Sequence, residues 1–289
     1  TENTYPDALH KEEKAESIPE RPENLKEEDN DILPVILIVE DNDDIREYIA
    51  TSFSNNYHIM TATNGKEGIE QALKYIPDII ISDIMMPVMD GIELCKLIKE
   101  DVRTSHIPVI LLTAKDSIQD KEEGYESGAD SYLTKPFSAK LLHSRVHNLL
   151  ESRKKLASLI TNRTKGLKAE QSQEAIKLSR LDEEFLNRFT AIVEENIDMD
   201  KLDMSFMMDK MNMSHSTLYR KIKGLTGISC NEFIRKIRLK NSLRLLMEES
   251  LNVSEAAYAS GFNDLGYFRT CFKEEYGMVP SEYIKQQKL

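Results

Sequence analysis

The chain has 289 residues and a mass of 33.2 kDa, with 40% hydrophobic and 30% charged residues and a net charge of -12. That length makes two domains of about 100–200 residues, each large enough to bury a core. The apolar runs fall far short of the ~18 residues a membrane span needs, and three widely spaced cysteines (Cys95, Cys230, Cys271) argue against a disulfide framework or a Cys-rich zinc site.

Residues 1–31 carry 4 basic and 11 acidic side chains with almost no apolar periodicity, so they read as an acidic disordered linker. The strand-helix alternation then begins. Short β-branched runs at 35–39 (VILIV), 79–82 (IIIS) and 108–112 (PVILL) have the pattern of doubly buried parallel strands. Weaker strands are expected near 57–61 and 131–134. Five βα units within residues 32–150 make a doubly wound α/β domain with a five-stranded parallel sheet. A helical stripe from Leu141 to Leu156 runs into residues 151–180, a basic helical linker in which 152–180 carry a net charge of +6. Residues 181–289 show helical patterns only. Two stretches there, 211–224 and 259–277, each contain a short helix, a turn centred on Asn or Gly, and a second helix. This is the spacing of a helix-turn-helix, and it occurs twice. Asn212 is placed to take a left-handed turn conformation. The Met-rich run before it reads as adaptable core.

In an open parallel sheet the working crevice lies at the carboxyl ends of the strands. The expected topology brings Glu40, Asp41, Asp83, Thr113 and Lys135 to that edge. Clustered carboxylates suit a hard cation such as magnesium, and an aspartate beside it can act as a nucleophile toward phosphorus. A lysine and a threonine can hold the phosphoryl oxygens.

The stretches LIVEDNDDIREYI, DIIISDIMMPVMDG, PVILLTAK and GADSYLTKPF resemble the response-regulator receiver domain. The resemblance implies that Asp83 is the phosphoacceptor and that Glu40, Asp41, Asp83 and the carbonyl of Met85 serve magnesium. It implies that Thr113 and Lys135 sense the phosphoryl group and that Tyr132 is the aromatic that swings inward. It also implies a flavodoxin-like fold, a histidine kinase as phosphoryl donor, and a homodimer on phosphorylation. Arg145 and Asp130 match the charges of dimerising members, whereas Ser131 and Leu141 depart from the usual carboxylates.

The segments MSHSTLYRKIKGLTG, NEFIRKIRLKNSLRLL, VSEAAYASGFNDLGYFRTCFKEEYG and PSEYI resemble the AraC-type DNA-binding domain. Residues 210–247 carry a net charge of +8, which supplies phosphate attraction within an acidic chain. In the first recognition helix His215, Ser216, Tyr219 and Arg220 are expected to face DNA, with Lys221 and Lys223 on phosphates and Leu218 and Ile222 in the core. In the second, Gly266, Tyr267, Arg269 and Thr270 are expected to be exposed, with Phe262, Phe268 and Phe272 in the core. Ala256 and Ser260 replace larger aliphatics, which would loosen the second motif.

Together these segments are similar to the C-terminal part of hybrid two-component sensor kinase/response regulators. The resemblance implies a non-enzymatic, cytoplasmic regulator that binds double-stranded DNA, with RNA polymerase as a further partner and no membrane contact of its own. The parent polypeptide would be a histidine kinase anchored in the inner membrane. The absent starting Met fits a fragment or a processed chain. A second reading keeps the phosphorelay receiver but gives it protein contacts and a weakened DNA-binding domain. A phosphatase using Asp83 would need an acid-base carboxylate two residues on, where Met85 stands.

Overall fold

Five short strands pair in parallel in the order β2-β1-β3-β4-β5: β1 (Val35–Val39), β2 (His58–Ala62), β3 (Ile79–Asp83), β4 (Val109–Thr113) and β5 (Ser131–Thr134). They belong to a computed structural model that describes residues 33–114, 128–163, 178–199, 202–249 and 251–287. The expected disordered linker 1–31, residues 115–127 of the α/β domain, and residues 164–177 of the basic linker lie outside the described residues.

Side chains alternate across the sheet with a period of two, so each strand feeds two cores. Ile36, Ile38, Ile79, Ile81, Ile110 and Leu112 pack with Ile49 and Phe53 of α1 (Asp43–Phe53) and with Leu142 and Val146 of α4 (Ala139–Arg163). Leu37, Val39, Ile80, Val109 and Leu111 pack on the other face with Ala72 of α2 (Gly65–Tyr75) and Leu94, Cys95 and Ile98 of α3 (Gly91–Glu100). Asn42, Asn64 and Asp90 cap the first three helices by accepting from the backbone N–H three residues on. β1 pairs with both β2 and β3, so the chain reverses direction across the sheet between these two neighbours. The functional crevice opens at that point.

The helical stripe expected to run from Leu141 into the 151–180 linker is, over the described residues, one unbroken helix, α4 from Ala139 to Arg163, a length of about 37 Å. Its first half packs in the α/β core through Leu142 and Val146. Its second half places Leu156 and Ile160 in the core of the helical domain.

That domain contains α5 (Arg180–Glu195), α6 (Met204–Met211), α7 (His215–Thr226), α8 (Cys230–Met247), α9 (Val253–Ala259), α10 (Leu265–Tyr276) and α11 (Pro280–Gln287). One core holds Phe185, Phe189, Met207, Met211, Leu218, Ile222 and Phe233. A second holds Leu243, Leu246, Ala256, Phe262, Phe268 and Phe272. Helix α8 is shared: Phe233, Ile234 and Ile237 enter the first core, and Leu239 to Leu246 enter the second. Asn212 ends α6 in the left-handed region at φ 53°, and Ser214 caps α7. In the second motif Gly261 has φ 77°, and a β-carbon there would lie 2.1 Å from the Ile197 carbonyl. Asp264 caps α10.

Candidate functional site

The carboxyl ends of β1, β3, β4 and β5 bring five side chains together. Glu40 and Asp41 follow β1, Asp83 ends β3 and Thr113 ends β4. Lys135 follows β5, where its backbone N–H donates to the Thr113 carbonyl at 2.7 Å. Oxygen atoms of Glu40, Asp41 and Asp83 lie within 4.8 Å of one another. The Lys135 ammonium bridges two of them, at 2.9 Å from Glu40 Oε2 and 3.0 Å from Asp83 Oδ1. Glu40, Asp83 and Thr113 are buried, whereas Asp41 and Met85 are exposed.

Burial raises the Asp83 carboxyl above its usual range, despite the hydrogen bond and charge of Lys135. Glu40 is raised mainly by burial, with Asp83 adding repulsion against the Lys135 contribution. Lys135 is itself raised: burial works against its charge, but the two carboxylates outweigh it. The donor set is all oxygen, it gathers negative charge, and exposed Asp41 leaves room for water. That combination fits magnesium, which keeps several waters and takes one or two carboxylates.

Two glycines allow this packing. A β-carbon at Gly91 would lie 2.0 Å from the Asp83 carbonyl, so only glycine lets α3 begin against the end of β3. A β-carbon at Gly65 would meet Met89 at 2.7 Å. Tyr132 is half-buried on β5 and packs against the core that contains Leu111.

The second set of candidates lies on α7 and α10. His215, Ser216, Arg220 and Lys223 are exposed, and Tyr219 is half-buried. His215 stacks on Tyr219 with centroids 6.4 Å apart, and the Lys223 ammonium lies 5.7 Å from the Tyr219 ring centre. On α10, Gly266, Tyr267, Arg269 and Thr270 are exposed. The Thr270 hydroxyl donates to the Gly266 carbonyl at 3.1 Å. Leu218, Ile222, Phe262, Phe268 and Phe272 are buried, as the helical spacing requires.

The structure departs from expectation at four places. Lys221 is not a surface phosphate contact. It is fully buried, 2.5 Å from Asp182 Oδ1 and 3.0 Å from Ser105 Oγ. Arg220 donates to the Tyr75 carbonyl of the α/β domain. Asp130 is already engaged within the chain by Lys99 at 2.6 Å and Arg153 at 3.3 Å. Ala256 and Ser260 do not loosen the second motif: both are fully buried, and Asn241 donates to the Ser260 hydroxyl at 3.2 Å. Sequence reasoning missed Ser105, His106 and Asp182. The only sequence signal was Lys221 itself, which falls within the apolar stripe of α7.

Comparison with known proteins assigns both halves. The family model "Response regulator receiver domain" matches residues 36–147, and "Helix-turn-helix domain" matches residues 207–286. The chain is 41% identical over 248 residues to histidine kinase P4 of Formosa agariphila, covering 86% of this chain but 18% of that protein. It is 40% identical over 119 residues to the DNA-binding dual master transcriptional regulator RpaA of Synechocystis, covering 41% of this chain and 49% of that protein. Among solved structures, the Francisella response regulator 1452 receiver domain aligns at 39% identity, with a TM-score of 0.39, over 41% of this chain and 98% of that one. The chain thus spans less than half the length of these two curated relatives.

Proposed function

We propose that phosphorylation of Asp83 controls the binding of this chain to DNA, since residues 36–147 match the response regulator receiver domain and residues 207–286 match a helix-turn-helix domain. The receiver occupies residues 32–150 and the DNA-binding domain residues 181–289. The observation that carries the proposal is the Glu40–Asp41–Asp83–Lys135 cluster in the same chain as two exposed recognition helices.

A histidine kinase is the donor. An Asp83 carboxylate oxygen attacks the phosphorus of a phosphoimidazole. A P–O bond forms, the P–N bond breaks, and its electron pair returns to the imidazole. Lys135, already on Asp83, pairs with the arriving oxygens, and the Thr113 hydroxyl donates to one of them at the end of β4. Glu40, Asp41, Asp83 and the Met85 carbonyl would hold magnesium, which when bound offsets the negative charge gathered at phosphorus. The product adds about two negative charges beside Lys135 and Thr113, and Tyr132 re-packs against β4.

His215, Ser216, Tyr219, Arg220 and Lys223 make the first DNA-facing set, and Gly266, Tyr267, Arg269 and Thr270 the second. Two linked motifs can enter successive major-groove faces of one duplex. Arg269, exposed on α10, is assigned to base readout, since arginine to guanine is the commonest specific contact. A homodimer forms on phosphorylation through the face carrying exposed Leu141 and Arg145, because Asp130 is engaged internally. The regulator acts in the cytoplasm and meets RNA polymerase at its promoter. Among the described residues no helix is long and apolar enough to cross a membrane. A parent polypeptide would carry the kinase.

The test is radiolabel transfer from acetyl phosphate with magnesium. Wild-type chain takes up label and Asp83→Asn does not; label on Asp83→Asn overturns the site. A receiver that signals only through protein contacts would show no salt-dependent duplex binding in either state.

A further inference from the structure

We infer that Arg235 of α8 and Tyr267 of α10 form one seat for a DNA backbone phosphate, so that the helix joining the two motifs contacts the duplex itself. This rests on the DNA-binding reading above and adds a residue to it.

Helix α8 anchors the first motif through Phe233, Ile234 and Ile237 and the second through Leu239 to Leu246. Its 18 residues make it about 27 Å long. Recognition helices in successive major grooves on one side of a duplex lie about 34–36 Å apart. The element that joins them passes the intervening minor groove, whose two rims are phosphates. A cation on the side of α8 that faces the duplex meets a phosphate there.

Five basic residues lie on α8: Arg235, Lys236, Arg238, Lys240 and Arg244. Three are turned to groups of the chain. Lys236 is buried and paired with Glu275. Arg244 pairs with Glu249 at 2.7 Å, and Arg238 donates to the Met199 carbonyl at 3.4 Å. Exposed Lys240 lies about 140° round the helix from Arg235. Arg235 reaches a residue already assigned to the DNA side. Its Nη1 donates to the Tyr267 hydroxyl at 3.4 Å, and its Nη2 lies 4.0 Å from Glu232 Oε1, the outer limit of an ion pair. Burial works against the guanidinium charge, and Tyr267 leads the groups that outweigh it.

The chemistry of Tyr267 complements the cation. A phenol oxygen that accepts from a guanidinium still has its own O–H to give. Tyr267 is 54% exposed, and its ring rests against buried Phe262 with centroids 6.4 Å apart. The hydroxyl is thus held at the surface beside a positive charge. A phosphate oxygen arriving there accepts from the phenol O–H and from the open edge of the guanidinium together. Such charge-assisted bonds are about twice as strong as neutral ones. Glu232 can release Arg235 without stranding a buried charge, since its own side chain is 36% exposed. The seat touches no base edge, so it positions the second motif without reading sequence.

The test uses the whole chain and a random-sequence duplex of about 30 base pairs near 50 mM salt, where phosphate contacts dominate. Tyr267→Phe removes one oxygen and keeps the ring. Arg235→Gln removes the charge. Each is expected to weaken binding about 10-fold. The double variant should lose about 10- to 20-fold, rather than the roughly 100-fold of independent contacts, because both groups hold one phosphate. Arg235→Gln should make the salt slope shallower by about 1, and Arg235→Lys should restore it. Tyr267→Phe removes no charge, yet it should also lower the slope, because Arg235 then loses its hold. Unfolding midpoints show that each variant is folded. If Arg235→Gln does not fold, the slope of Tyr267→Phe decides. Wild-type affinity in both single variants, or an unchanged slope in Tyr267→Phe, overturns the seat and leaves DNA binding intact. If the wild-type chain binds no duplex, the DNA-binding reading fails and the seat falls with it.

Discussion

Lys221 shows how one residue type can be read two ways. It lies three residues after Leu218 and one before Ile222, inside the stripe that α7 buries. A charge there needs a partner, because an unpaired buried ion costs several kcal/mol. The partner is Asp182, with Ser105 completing the site. Burial pushes the Asp182 carboxyl up, but the Lys221 ammonium and the hydroxyls of Ser105 and Ser179 more than offset it and hold it below the usual range. Lys221→Met should therefore cost about 3–5 kcal/mol in denaturant unfolding, and Lys221→Met with Asp182→Leu should recover most of it. Equal losses in the single and double variants would contradict this pairing. The stripe was legible from helical spacing. The partners were not, because Asp182 and Ser105 lie 39 and 116 positions away in sequence. Nearby His106 is held neutral, well below its ordinary value, by burial and by the charge of Lys221, with Asp182 opposing and Arg153 and Lys99 adding to the effect. Its Nδ1 is buried without a hydrogen-bond partner among the described residues. An imidazole released to solvent binds protons more readily, so the packing of His106 against Gly224 is at full strength above about pH 6.5 and weakens as pH falls below it. Amide exchange over α7 measured from pH 7.5 to 5.5 should quicken in wild type and lose most of that dependence in His106→Gln.

Elements followed the sequence where one period dominates. The interior strands β1, β3 and β4 were placed to within one residue, because continuous β-branched runs buried on both faces leave little choice. Edge strand β2 is half exposed and its pattern is weaker, and it too shifted by one position. The helix-turn-helix boundaries were legible in Asn212 and Gly261, which take the left-handed conformations their turns need. The continuity of α4 was legible as a helical stripe running into the linker, but the packing of its second half in the other core was not. Its two halves share one helical period but serve different cores, and spacing alone cannot say which core receives Leu156. The junction of β3 and α3 carries a further prediction. Gly91→Ala would force a β-carbon into the Asp83 carbonyl. A displacement of about 1 Å at a reacting group costs about 100-fold, so the rate of labelling by acetyl phosphate should fall by about that factor. An unchanged rate would show that the end of β3 yields without moving Asp83. In the second motif, Asn241→Ala leaves the buried Ser260 hydroxyl without its donor and should destabilise by about 1–3 kcal/mol, read from the unfolding midpoint.

At the scale of the molecule, the net charge of -12 conceals two opposed halves, an acidic receiver and a helical domain with a basic segment. Total charge alone argues against nucleic acid, and only its distribution argues for it. The architecture places the Glu40–Asp41–Asp83 cluster at the carboxyl end of the sheet, with α4 common to the α/β core and the helical core. The decisive measurement is the duplex affinity of the whole chain with and without beryllofluoride and magnesium, with Asp83→Asn beside it. Phosphorylation control predicts a gain of about 5- to 150-fold in wild type and none in Asp83→Asn. An affinity that stays constant while Asp83 is loaded, or that rises equally in Asp83→Asn, would contradict it.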